Sequence, residues 1–208
     1  MNRQITGVAL ALALLGVTTT ASAQEGGLAA QGNFVLGADR VVGLTSNKQR
    51  IEQPGGDPTA TYTGFGFSWG LSATPFNTPR VGLDYFLTDN LSLGGNLGYA
   101  ELSSDDDNDE TMSAFIFSPR VGYMIGLGRV VGFWPRGGFS YYSMSAGDRT
   151  QLALTLEAMF SLTPSPGFAI VTGPILDLGF TGEIDTGDET RDYHDRNLGI
   201  TFGIAGVL

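Results

Sequence analysis

From residue 33 to the C-terminus the chain alternates between bulky apolar residues and small or polar ones. The stretch PRVGLDYFLTDNLSLGGNLGYA (79–100) shows the pattern clearly. Val81, Leu83, Tyr85 and Leu87 share one face, and Leu91, Leu93, Leu97 and Tyr99 share it on the return. Gly82, Asp84, Ser92, Gly94, Asn96 and Gly98 occupy the other. A period of two predicts strands, and the hinge Thr88, Asp89, Asn90 predicts a hairpin. The same pattern predicts eight long strands over 33–45, 80–87, 91–103, 113–125, 130–144, 150–161, 168–183 and 197–208. Many exceed the roughly five or six residues usual in globular proteins. They match the roughly nine to eleven that a tilted strand needs to cross a bilayer.

The connections narrow the choice between a soluble sandwich and a membrane barrel. Short links (88–90, 126–129, 163–167) alternate with longer or more polar ones (SSDDDNDET, AGD, DTGDETRDYHDR). That parity is the signature of barrels with tight periplasmic turns and larger exterior loops. Running it backwards makes 49–78 the first exterior connection and places both termini in the periplasm. Within that connection TGFGFSWGLS alternates as well as any strand, through Phe65, Phe67, Trp69 and Leu71. A ninth crossing would separate the termini, so residues 61–72 are read as a strand rising above the membrane. A ten-stranded barrel is the alternative.

If the bulky phase meets lipid, the other phase fills the lumen. It carries Asp39, Arg80, Asp84, Arg120, Arg136, Glu157 and Asp177, a nearly balanced set of charges. An eight-stranded barrel is just wide enough for side chains to fill it, and charges sealed there must pair. The phase therefore predicts an internal salt-bridge network. Arg40 breaks the pattern: its phase points outward, where a long cation can snorkel to the interface. Pro119, Pro135 and Pro174 stand inside strands and predict bulges or rim positions. Aromatics such as Tyr85, Tyr99, Phe115, Tyr123, Phe133, Tyr141, Phe160, Phe180 and Phe202 gather toward strand ends, as interfacial girdles do.

Residues 1–23 read as a cleavable helical signal peptide: Arg3, an apolar run, then Ala21-Ser22-Ala23. The barrel domain then occupies 24–208. The 208-residue chain has net charge −10, which excludes nucleic acid as a partner, and it has no cysteine. Its 31 glycines fall within strands and turns rather than in a linker.

GLDYFLTDNLSLGGNLGYA resembles the tight-turn hairpins of small bacterial outer-membrane barrels of the OmpA-like and OmpW-like kind, and SPRVGYMIGLGRVVGFWPRGG resembles a second one. GITFGIAGVL is similar to their C-terminal recognition strand, although Leu208 stands where an aromatic residue is usual. The resemblance implies outer-membrane localisation, contact with outer-membrane lipid and lipopolysaccharide, and insertion by the barrel-assembly machinery through the last strand. For OmpW-like members it also implies a narrow conduit for small apolar solutes.

Candidate chemistry is sparse. His194, the single histidine, is flanked by Asp192 and Asp195, which could orient it as a base. There is no nucleophile elbow and no metal motif. Asp105, Asp106, Asp107, Asp109 and Glu110 form an exterior acidic loop with the alternate spacing of a calcium loop. Glu110 stands where the sharp turn demands glycine, which leaves only weak divalent-cation binding. No cofactor is expected. The reading is a non-enzymatic, structural, eight-stranded antiparallel transmembrane β-barrel with a side-chain-filled lumen. A narrow apolar channel and an exterior-loop binding module are its alternatives.

Overall fold

A computed structural model describes residues 27–51, 60–68, 74–102, 111–145, 148–185 and 189–208. The leader, the acidic loop at Asp105–Glu110 and residues 69–73 lie outside the described residues. The strands are β1 (Phe34–Ile51), β2 (Ala60–Ser68), β3 (Arg80–Phe86), β4 (Leu91–Leu102), β5 (Met112–Tyr123), β6 (Ile125–Gly126), β7 (Val131–Met144), β8 (Arg149–Ser165), β9 (Phe168–Asp185) and β10 (Thr190–Val207). Neighbours pair antiparallel, and β10 closes on β1 from Val35↔Val207 to Ile51↔Tyr193. β6 continues β5 past Met124 and pairs with β7. The wall is thus a closed eight-stranded barrel.

β2 is the strand of ambiguous sequence. It does not cross; it pairs only with the loop-end half of β1, from Gly43↔Ser68 to Ile51↔Ala60. β1 changes partner along its length because β3 is short. Phe34–Asp39 pairs with β3, whose first residue, Arg80, stands opposite Asp39. Beyond Leu97, the end of the β3–β4 ladder, no described strand pairs with that edge of β4. The predicted hinge is a tight turn: Leu87 N–H bonds to Leu91 O at 2.9 Å, and Asn90 takes a left-handed φ of 84° that asparagine tolerates.

The residue distribution is inverted relative to a soluble protein. Leu97, Val121 and Ile200 are 52%, 51% and 49% exposed, whereas Arg120, Arg136 and Glu157 are 6%, 4% and 4% exposed. Exposed apolar side chains run around every crossing strand, far beyond the patch a soluble monomer tolerates. Aromatics flank this belt. Phe34 with Tyr85, and Phe133 with Phe160, lie toward the turn end, and Phe139 with Phe180 lies toward the loop end.

The three strand prolines occupy neither bulges nor rims. Each lies where the ladder on one side lapses for two residues and resumes in unchanged register. β5 and β7 pair at Phe117↔Tyr141 and again at Arg120↔Gly138, passing over Pro119. β8 and β9 pair at Glu157↔Ile175 and again at Phe160↔Thr172, passing over Pro174. β7 pairs at Gly122↔Arg136 and again at Ile125↔Phe133, passing over Pro135. A lapsed rung removes the need for the missing N–H. At two lapses the backbones approach so closely that a Cβ on Gly138 would collide with the Pro119 carbonyl, and one on Gly173 with that of Ala158.

Candidate functional site

The lumen is filled in three tiers. At the turn end Leu28, Val35, Phe86, Met124, Trp134 and Met159 belong to an apolar plug. The N-terminal segment is tied beneath it by Gly32 N–H to Phe86 O at 2.9 Å and Gln31 N–H to Asp89 Oδ1 at 3.0 Å. At the loop end Phe76, Ile116, Tyr142, Ala153, Ile184 and Tyr193 form a second cluster. Between the two lies a layer of charge.

Alternation brings polar side chains from every wall strand to this level. Asp84 and Arg80 come from β3, Asn96 from β4, Arg120 from β5, Arg136 from β7, Glu157 from β8, Asp177 from β9 and Asn197 from β10. β1 contributes two consecutive residues, Asp39 and Arg40, both only 3% exposed. The expectation that Arg40 points outward is corrected here. The β1–β10 register shifts between Ala38↔Ile204 and Val42↔Phe202, so a bulge of β1 faces the single residue Gly203. Arg40 takes φ 53° within that bulge and its side chain turns inward, while Gly203 opposite lets the β1 backbone at Ala38 and Asp39 approach closely.

The bulge supplies the fourth cation. Arg40 grips Asp177 with both amino groups, at 2.7 and 2.9 Å, and reaches Glu157 at 3.2 Å. Arg120 joins Asp39 at 2.6 Å and clasps Asp84 through Nε at 3.1 Å and through Nη2. Arg136 joins Asp39 at 3.2 Å and lies 2.8 Å from Glu157 through Nε. Arg80 is the exception among the seven predicted residues: among the described residues it has no carboxylate within ion-pair distance. It donates instead to Ser118 Oγ at 3.0 Å and Phe76 O at 2.9 Å. Four cations meet four anions, and hydroxyls and amides take up further valences, as in Thr155 to Asp177 at 2.8 Å and Asn197 to Asp177 at 3.0 Å. Such satisfaction is what a low-dielectric interior requires of buried charge.

Two lumen elements carry no period-two signal or were read as loop. Pro75–Asn77 forms a single 3-10 turn inside the barrel, within the stretch read as exterior loop. Its Phe76 carbonyl accepts from both Arg40, at 2.8 Å, and Arg80. Asn77 donates to Thr45 at 2.9 Å. The charged run read as a loop from 185 to 196 is largely the loop-end part of β10. Tyr193 and Asp195 are buried inside, with Arg149 stacked 5.6 Å from the Tyr193 ring. The phase of Tyr193, Asp195 and Asn197 was available as a signal. Asp195 thus faces the lumen while His194 faces outward, so the two do not form an oriented acid–base pair.

A closed ring of strands, a lipid-facing apolar belt and short turns at the end that holds both described termini settle the architecture. The chain is a small β-barrel of the outer-membrane type. No family model and no curated protein matches it. Among solved structures, it is similar to Neisserial surface protein A at 12% identity and TM-score 0.48, covering 83% of this chain and 96% of that one. It is similar to OprG from Pseudomonas aeruginosa at 10% identity and TM-score 0.47, covering 85% and 96%. It is also similar to the outer-membrane protease OmpT from Escherichia coli at 12% identity and TM-score 0.43, covering 85% and 97%. What the barrel does is argued below from its own residues.

Proposed function

We propose that the protein is a structural component of the bacterial outer membrane, a barrel whose lumen is sealed and carries no catalytic chemistry. The observation behind this reading is the stacked filling of the lumen, two apolar tiers with a neutral eight-charge layer between them. Water and ions entering this layer would have to displace ion pairs anchored on every side of the barrel. The void beside Asn96, Ser118, Arg120 and Glu157 measures about 10 Å³, the size of a single water. Chain export through a leader at 1–23, and assembly through the last strand, belong to the same proposal.

The test is conductance of the folded protein in planar bilayers, with folding checked by faster gel migration unboiled than boiled. A sealed lumen gives no ohmic steps above the bare bilayer; steady single-channel steps from the wild type overturn the proposal. One observation favours a second reading, sideways passage of small apolar solutes: the edge of β4 beyond Leu97, with which no described strand pairs. Uptake of an apolar dye into liposomes at the same rate with and without the barrel removes that reading.

A further inference from the structure

The cations outside the lumen are not scattered. Lys48 and Arg50 of β1 stand directly opposite Arg196 and His194 of β10, as Lys48↔Arg196 and Arg50↔His194. Like charges facing each other across a ladder destabilise a sheet, and this chain holds only 11 Lys and Arg against 21 Asp and Glu. The facing pair Lys48↔Arg196 therefore costs the fold something. These four side chains line a notch of about 360 Å³ in the outer surface, floored by Gly179 and Phe180 of β9. The notch forms where the β9–β10 register shifts between Asp192↔Glu183 and Arg196↔Leu178.

Its height on the wall matters as much as its charge. On the turn side the same outward face continues as Leu44, Leu198, Ile200 and Phe202, each between 46% and 57% exposed, within the lipid belt. On the loop side Glu183 and Asp192 face each other across the ladder, and an anion is repelled there. The notch therefore sits at the level of the headgroups, on the leaflet that the large loops face, with cations toward the apolar chains and acids beyond them.

We propose that this notch seats a phosphate of an outer-leaflet glycolipid, its acyl chains lying along Phe180, Leu198 and Ile200. Guanidinium and ammonium groups recognise phosphate, and clustered cations beside a membrane add attraction for each charge. The site is separate from the lumen and does not depend on whether the lumen conducts.

The test titrates the folded full-length barrel in detergent with diphosphorylated lipid A, followed by native mass spectrometry. The wild type retains one lipid A, and Lys48→Gln/Arg196→Gln weakens retention about tenfold or more. Dephosphorylated lipid A binds the wild type as weakly, and this arm decides the question if the double variant fails the gel-shift check for folding. Millimolar inorganic phosphate leaves the lipid bound, whereas displacement would make this a free-phosphate site and overturn the glycolipid assignment. Equal retention by variant and wild type, equal retention of the dephosphorylated lipid, or an equal loss in the control Arg129→Gln, an exposed cation in the turn at the opposite end of the barrel, would each overturn it too.

Discussion

Two groups of cations occupy one barrel under opposite rules. In the lumen Arg40, Arg80, Arg120 and Arg136 are almost fully sealed, three against carboxylates and Arg80 against amide, hydroxyl and carbonyl oxygens. At the outer notch Lys48, Arg50 and Arg196 crowd together with His194, facing solvent and headgroups. Dielectric explains the difference. An ion buried without a partner carries several kcal/mol of desolvation, so the lumen balances its charges across the layer and gives each one ionic or hydrogen-bonding partners. An exposed cation is hydrated and screened, so like charges such as Lys48 and Arg196 can face each other on the outer surface.

The largest effect should come from breaking lumen neutrality. Arg120→Met leaves Asp84 without its cation and strips one of two arginines from Asp39. It should destabilise the barrel by about 3–5 kcal/mol, read from urea unfolding in lipid vesicles. Adding Asp84→Leu removes the stranded carboxylate, and the double variant should regain most of that loss. If the two substitutions simply add, the ion pairs are not coupled and the layer is not the unit described above.

How much of this layer was legible follows from the same physics. In a lumen closed by eight strands every second residue is forced inward, so the phase alone located Asp39, Arg80, Asp84, Arg120, Arg136, Glu157 and Asp177. Arg40 was illegible because a bulge leaves no mark in an alternation count, and because its positive φ falls on an arginine rather than a glycine. Pro75–Asn77 was illegible because a 3-10 turn held by arginines that donate to its Phe76 carbonyl has no periodicity of its own. Tyr193 and Asp195 were misread for another reason: the acidic residues around them outweighed an inward phase that was present.

A middling effect sharpens the contrast between sealed and open positions without touching charge. Gly138→Ala would drive a methyl into the Pro119 carbonyl across the lapsed rung, where backbone rather than a flexible side chain must yield. It should cost about 1–3 kcal/mol, the usual range for overpacking. Gly66→Ala on β2 meets open space and should cost less than about 1 kcal/mol. Equal unfolding midpoints for the two variants would mean that the close approach at Pro119 is relieved without strain.

The smallest effect tests the dielectric argument from the other end. Arg191 and Glu189 form an ion pair of 3.5 Å at the loop end of β10, with side chains 30% and 51% exposed. Its chemistry is that of Arg40 with Glu157, which meet at 3.2 Å with both side chains 2% exposed. Water competes for both partners of the exposed pair and salt screens what attraction remains. Arg191→Gln should therefore shift stability by less than about 0.5 kcal/mol, and what shift there is should shrink from dilute to physiological buffer. A loss as large as that of Arg120→Met would mean that pairing itself, rather than burial, sets the energetic scale, and the explanation of the neutral lumen would have to be abandoned.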